Sequence, residues 1–188
     1  EILISDLLRH KNFKTETGVV TQGKCITHEI DVIARKGDDK YFVECKFHNT
    51  PGFKTDVQVA LYTYARFLDI NNAHKQNNPS EKNHPWLITN TKVTTAVLDY
   101  SHCVDLMITT WNHPKGGLQD MLVSTGIRPI TLLYEIPKNK IKTILNLGIV
   151  TCVGLKTAIL NGQRTGILDQ NETSQVLSRI NKLPKSNE

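Results

Sequence analysis

At 188 residues, with 39% hydrophobic and 22% charged side chains, the chain is apolar enough to bury a core and too apolar to be disordered. Its longest apolar runs, such as Ile130 to Leu133, fall far short of a bilayer-spanning helix and no charged-then-apolar leader opens it, so a soluble cytoplasmic protein without a membrane partner is expected. The four cysteines are scattered with no CxxC pair, which argues against a disulfide framework or zinc ribbon, and the formal net charge of +5 would favour approach to a polyanion.

In chain order, the apolar spacing predicts a first helix over Ile2 to His10. Three β-rich runs follow: Val19-Val20, Thr27 to Ala34 and Tyr41 to Phe47, the last two joined by Arg35-Lys36-Gly37-Asp38-Asp39-Lys40, a composition suited to a hairpin turn. Thr55 to Ile70 reads as an amphipathic helix on Val57, Ala60, Leu61, Tyr64 and Leu68, and the polar stretch Asn71 to Pro85 as a loop. Trp86 to Thr89, Thr94 to Cys103 and Asp105 to Trp111 alternate as strand, helix and strand, which predicts a parallel pair joined by a right-handed crossover. Beyond Pro114-Lys115-Gly116-Gly117 the pattern turns helical: Leu118 to Thr125, Lys138 to Leu147 ended by Gly148, Cys152 to Leu160, and a last helix capped by Asn171 or Thr173 and reaching Lys182. An α/β domain over residues 1–115 with a helical extension over 116–188 is expected.

Chemistry concentrates in the hairpin. Strand alternation puts Glu29 and Asp31 on one face, and Glu44, Lys46 and His48 on one face of the neighbouring strand, so that Asp31, Glu44 and Lys46 converge. Uncompensated carboxylates on a central sheet are heavily disfavoured, and a divalent cation supplies the compensation. Mg²⁺ prefers carboxylate oxygens and needs only one or two of them.

Asp31, twelve intervening residues and then Glu44-Cys45-Lys46, each half preceded by apolar strand residues, resembles the D-x(n)-(D/E)-x-K signature of the PD-(D/E)xK restriction-endonuclease-like superfamily. The wording E-I-D-V-I-A and F-V-E-C-K is similar to the Mrr-like branch and to archaeal Holliday-junction resolvases, over residues 1–112. The resemblance implies a mixed central sheet, an antiparallel meander plus a β-α-β unit, and Mg²⁺- or Mn²⁺-dependent hydrolysis of DNA. It implies Asp31, Glu44 and the Cys45 carbonyl as metal ligands, with Lys46 orienting or activating water. Glu1 resembles the helix-one glutamate that completes the metal site, and Gln58, in D-V-Q-V-A-L-Y, the glutamine that contacts it. Branch relatives sometimes carry an N-terminal ATP-cone regulatory domain, and the start at Glu1 leaves such a segment open; a homodimer is open too, through the C-terminal helices.

Competing readings are a catalytically silent DNA-binding module on the same fold and a non-nucleic-acid α/β enzyme. The first would have no need to keep all three charges, and the second lacks a Gly-rich phosphate loop, G-x-S-x-G or H-E-x-x-H. Cys25 and His28 have C-x2-H spacing without a second pair, and His28 and His48 read as surface or supporting residues. Ile141 to Ile159 resembles a helix-hairpin-helix or helix-turn-helix unit but lacks the G-x-G of the former, and packing on the core or a dimer contact is the plainer reading.

Overall fold

The computed structural model describes residues 1–48, 52–77, 80–113, 115–162 and 166–183, for 75–77 the backbone only. The chain divides into two compact units, one of Glu1 and Leu3–Met121, the other of Ile2 and Leu122–Glu188.

The first unit is α/β, with a mixed five-stranded sheet flanked by helices. Its elements are α1 (Ile2–His10), β1 (Lys14–Gln22), β2 (Thr27–Lys36), β3 (Asp39–Lys46), β4 (Lys54–Thr55), α2 (Val57–Asn77), β5 (Lys82–Thr89), β6 (Lys92–Val93), α3 (Thr95–Cys103) and β7 (Met107–Thr109). The main sheet runs β1-β2-β3-β5-β7. β1, β2 and β3 form the expected antiparallel meander, while β5 lies parallel to β3 and β7 parallel to β5, the crossovers being α2 and α3. β4 and β6 add a two-residue parallel ladder absent from the sequence reading, beside which the hydroxyls of Thr55, Thr89 and Thr91 hydrogen-bond one another in a buried cluster.

Between β2 and β3 the turn contracts to Gly37-Asp38, with Lys36 opposite Asp39. Only the first of the two has positive φ, +61° at Gly37, the signature of a type II′ hairpin turn, which a glycine adopts without a Cβ penalty. On one sheet face Phe42 meets Phe67 of α2 and buries with Ile30, Ile33 and Ile70; on the other, Tyr41 and Trp86 meet Phe13 just beyond α1. Burying both faces fixes the register of β3, because a slip of one residue would exchange them.

Besides β1, which runs over Lys14–Gln22 where the sequence marks only Val19-Val20, three boundaries of the first unit depart from the sequence reading. α2 runs on to Asn77 through residues read as a loop: Asn71 accepts a hydrogen bond from Asn83, and His74 lies against Phe42 and Thr21, so tertiary contacts override weak helix formers. β5 begins at Lys82, ahead of Pro85. The missing N–H of Pro85 is tolerated because β7 joins β5 only from Trp86 onward, leaving that side of Pro85 unpaired. β7 is confined to Met107–Thr109, after Asp105 has taken a left-handed φ of +55°.

The second unit is helical. α4 (Leu118–Thr125) leads into it, followed by a 3-10 turn at Ile130–Leu132, α5 (Lys138–Asn146), α6 (Cys152–Leu160) and α7 (Gln170–Lys182). Its core joins Ile130, Leu133, Ile136, Ile144, Leu155, Val176 and Ile180. Gly148 ends the α5 segment at φ +77°, as its position suggested. The last helix is capped by Asp169 rather than by Asn171 or Thr173. Asp169 accepts from the Glu172 N–H and Glu172 accepts from the Asp169 N–H, a reciprocal capping box that places the start two residues earlier.

One loop of the first unit is tied down by a single carboxylate. Asp69 of α2 accepts from the Cys25 and Ile26 N–H groups and pairs with His28 Nε2 at 2.8 Å, so the residues of the C-x2-H spacing converge on Asp69. The His28 hydrogen bond holds the Asp69 carboxyl well below the usual carboxylate range, with the loop's N–H groups helping. Gly23 leaves the room: a Cβ there would fall on an Asp69 carboxylate oxygen and 2.8 Å from the Ile26 carbonyl oxygen. Gly23→Ala is therefore expected to destabilise the fold by about 1–3 kcal/mol, the usual range for overpacking, in urea unfolding; unchanged stability would show that this loop does not depend on Asp69.

Candidate active site

The site grows out of an interruption in the sheet. Pairing between β2 and β3 ends at Val32↔Val43, although both strands continue to Thr27 and Lys46 respectively. The β1–β2 ladder also breaks at this level, between Thr17↔Val32 and Val19↔Ile30, where Gly18 has φ +60°. Ile30 and Ile33 consequently bury in one cluster, which the strict alternation of an unbroken pleat does not give.

Parting strands leave backbone groups to be satisfied, and the site residues do so. The Cys45 N–H donates to Asp31 Oδ2 at 2.7 Å, and the Glu29 carbonyl accepts from the Arg66 guanidinium at 3.3 Å. Asp31 is thereby fixed beside the residue that follows Glu44, close enough for its charge to act on the Glu44 carboxyl. The same Arg66 nitrogen contacts Glu44 Oε2 at 2.5 Å, and the Tyr62 hydroxyl donates to Glu44 Oε1 at 2.9 Å. Arg66 also lies 5.5 Å over the Tyr62 ring, so the two are coupled one helical turn apart.

Burial pushes the Glu44 carboxyl above its ordinary value and the Asp31 carboxylate adds to the rise, while Arg66, the Tyr62 hydrogen bond and Lys46 oppose it. Lys46 acts on Glu44 over distance; among the described residues it enters no ion pair, with Asp31 or with any other carboxylate. The Cys45 thiol is pushed up to about 12, chiefly by burial, with Asp31, Glu1 and Glu44 contributing. Glu1 is thus close enough to act electrostatically on the centre of the site, though its side chain makes no direct hydrogen bond there among the described residues.

Gln58 is exposed at the start of α2, one turn before Tyr62 and two before Arg66 on the same helix face. No hydrogen bond ties its side chain to Asp31, Glu44 or Lys46 among the described residues. Tyr62 and Arg66, which do touch Glu44, were not singled out from the sequence; the four-residue repeat Gln58, Tyr62, Arg66 was the available signal. His48 lies past β3, its backbone N–H and C=O bound by Asn90 and its ring stacked on Phe53 at 4.1 Å. Among the described residues, no group of three or more His, Cys, Asp or Glu side chains could hold a metal ion, and no helix is long and apolar enough to cross a membrane.

The opposed influences on Glu44 give a titration with two signs. Asp31→Asn removes a repelling charge while its amide oxygen can still accept from Cys45, so Glu44 should titrate at lower pH than in the wild type. Arg66→Met removes the closest stabilising charge, so Glu44 should titrate higher. Carboxyl ¹³C NMR across the acid range reads both, and shifts of the same sign in the two variants would refute this account of the site.

No family model matches the chain. It is 36% identical over 181 residues to an uncharacterized protein of Archaeoglobus fulgidus, covering 94% of this chain and 97% of that protein. It is also similar to a crystal structure of a protein of unknown function, with a TM-score of 0.76 and 33% identity over 96% of this chain and 94% of the other. Both matches extend through the α/β unit and the helical unit together. The chain belongs to the family of the Archaeoglobus fulgidus protein.

Proposed function

We propose that the chain is a metal-dependent endonuclease that hydrolyses DNA phosphodiester bonds on a restriction-endonuclease-like core, with Asp31, Glu44 and Lys46 at its centre. The observation that carries this reading is the meeting of Asp31 and Glu44 where β2 and β3 separate, next to Lys46 left without a carboxylate partner among the described residues. A purely structural role for Lys46 would be served by an ion pair with Asp31, because an unpaired cation in a half-buried place is costly.

The donor set suits a hard divalent cation. Two neighbouring carboxylates raise each other's cost of ionisation, here through the upward push of Asp31 on Glu44, and a cation relieves it. Asp31, Glu44 and the Cys45 carbonyl oxygen would hold Mg²⁺ or Mn²⁺, with Glu1 as the further ligand that the family resemblance implies; a two-carboxylate site is sufficient for Mg²⁺ without a cluster of three side chains. When bound, the ion supplies polarisation of a phosphoryl oxygen and a lowered pKa for the attacking water. Asp31 is held in place by the Cys45 N–H, and Arg66 and Tyr62 orient Glu44. Lys46 places positive charge where negative charge develops and orients the water, and Gln58 contributes from the exposed start of α2.

One feature favours a second reading, a catalytically silent DNA-binding module on the same fold. Both Glu44 oxygens are already engaged by Tyr62 and Arg66, and a silent module would keep them so. Nicking of supercoiled plasmid with Mg²⁺, Mn²⁺ or EDTA separates the two. The proposal expects metal-dependent nicking that Lys46→Ala lowers by at least about a hundredfold, while DNA affinity stays within a few-fold, because the lysine acts on developing charge. Wild-type nicking in the variant would sink the assignment, and binding with no nicking under either metal would establish the silent module. Thermal melts provide a second readout: millimolar metal should raise the wild-type midpoint and leave Asp31→Asn unmoved.

A further inference from the structure

The net charge of the chain is confined to one unit. Residues 1–121 hold fourteen Lys and Arg against fourteen Asp and Glu, whereas residues 122–188 hold nine against four, which accounts for the whole excess of +5. Within the helical unit the described acids are all engaged: Glu172 with Lys140 at 2.6 Å, Glu135 with Arg179 at 3.7 Å, and Asp169 at the start of α7. Arg128, Lys138, Lys142, Lys156 and Lys182 remain without an ion-pair partner among the described residues.

Two of them line a groove of about 600 Å³ between the Gly126–Arg128 segment, α6 and the end of α7. Its lining includes Arg128 and Lys156 and no acidic residue. Arg128 is fastened by hydrogen bonds to the Leu122 and Ile127 carbonyls, and Lys156 is steered across the groove to Asn181 at 2.7 Å, next to Lys182. Cations held by neutral oxygens keep their full charge for an outside anion. Carboxylate partners would have cancelled it.

We infer that the helical unit binds the phosphate backbone of duplex DNA, with the groove of Arg128 and Lys156 as its centre and Lys142 and Lys182 reaching further phosphates. The choice of DNA rests on the reading of the α/β unit as a DNA-cutting enzyme; the placement of the binding surface rests on the charge distribution alone. A neutral catalytic unit gains little affinity from electrostatics, so the helical unit supplies the term released as counterions when phosphates are neutralised.

The test is binding of the full-length chain to a labelled duplex in EDTA, by fluorescence anisotropy across a potassium chloride series, so that no cleavage intervenes. Lys142→Gln/Lys156→Gln/Lys182→Gln should weaken binding at least about tenfold and lower the log-log salt slope by about 2–3, close to one for each phosphate no longer neutralised. Lys14→Gln/Lys24→Gln/Lys82→Gln, exposed positions of the neutral unit, should lower it by less than half as much. If the first variant melts at lower temperature, Lys142→Gln/Lys182→Gln, altered only at exposed positions, should still lower the slope by about 1–2. Equal slope losses from the two units, an unchanged slope in the groove variants, or loss of binding to anionic phospholipid vesicles with DNA binding intact would overturn the inference. Metal-dependent nicking measured beside it keeps the outcomes apart: nicking with an unchanged slope removes the groove alone, whereas neither nicking nor duplex binding removes both readings.

Discussion

The Cys45 N–H is the group on which the candidate site turns. It points toward β2 at a level where β2 no longer pairs with β3, and a buried backbone donor left without an acceptor costs on the order of 1–3 kcal/mol. The Asp31 carboxylate takes that place. A carboxylate fixed by a main-chain donor has little freedom to turn away, so one end of the charged cluster is set by the need to finish the sheet. Arg66 performs the complementary task on the other strand, covering the Glu29 carbonyl while meeting Glu44. The parting of two strands and the gathering of charged side chains are thus one arrangement, each requiring the other.

Legibility in the sequence followed the strength of local signals. The helix Ile2–His10 was readable because its apolar face is regular, and the β2–β3 hairpin because Gly37-Asp38 sits between two apolar runs. The parallel pairing of β5 with β7 was readable from alternation of strand and helix, whose handedness and direction leave few choices, whereas that of β3 with β5 was not read. What escaped depended on partners distant in sequence. The polar end of α2 is helical because Asn83, Phe42 and Thr21 wait for it, and nothing within residues 71–77 announces them.

The site divides along the same line. The closeness of Asp31 to Glu44 was legible because strand alternation and hairpin register are local rules. Tyr62 and Arg66 were not, since a helix face acquires meaning only once its crossover has been laid against a particular strand. The break in pairing at Asp31 was also hidden: Gly18, which marks it, stands in another strand and reads in isolation as a weak strand residue.

Gly18 has a further consequence at the rim of the sheet. β1 is an outermost strand, nine residues long, and a straight edge of that length offers an unbroken row of donors and acceptors to any other extended chain. The left-handed turn of the backbone at Gly18 divides that row in the middle, and the charged Lys14 and Glu16 flank its first half. The ladder with β2 skips one pair at that point, between Thr17↔Val32 and Val19↔Ile30. The kink that accompanies the opening of the sheet around Asp31 therefore also interrupts the edge along which another extended chain would have to pair.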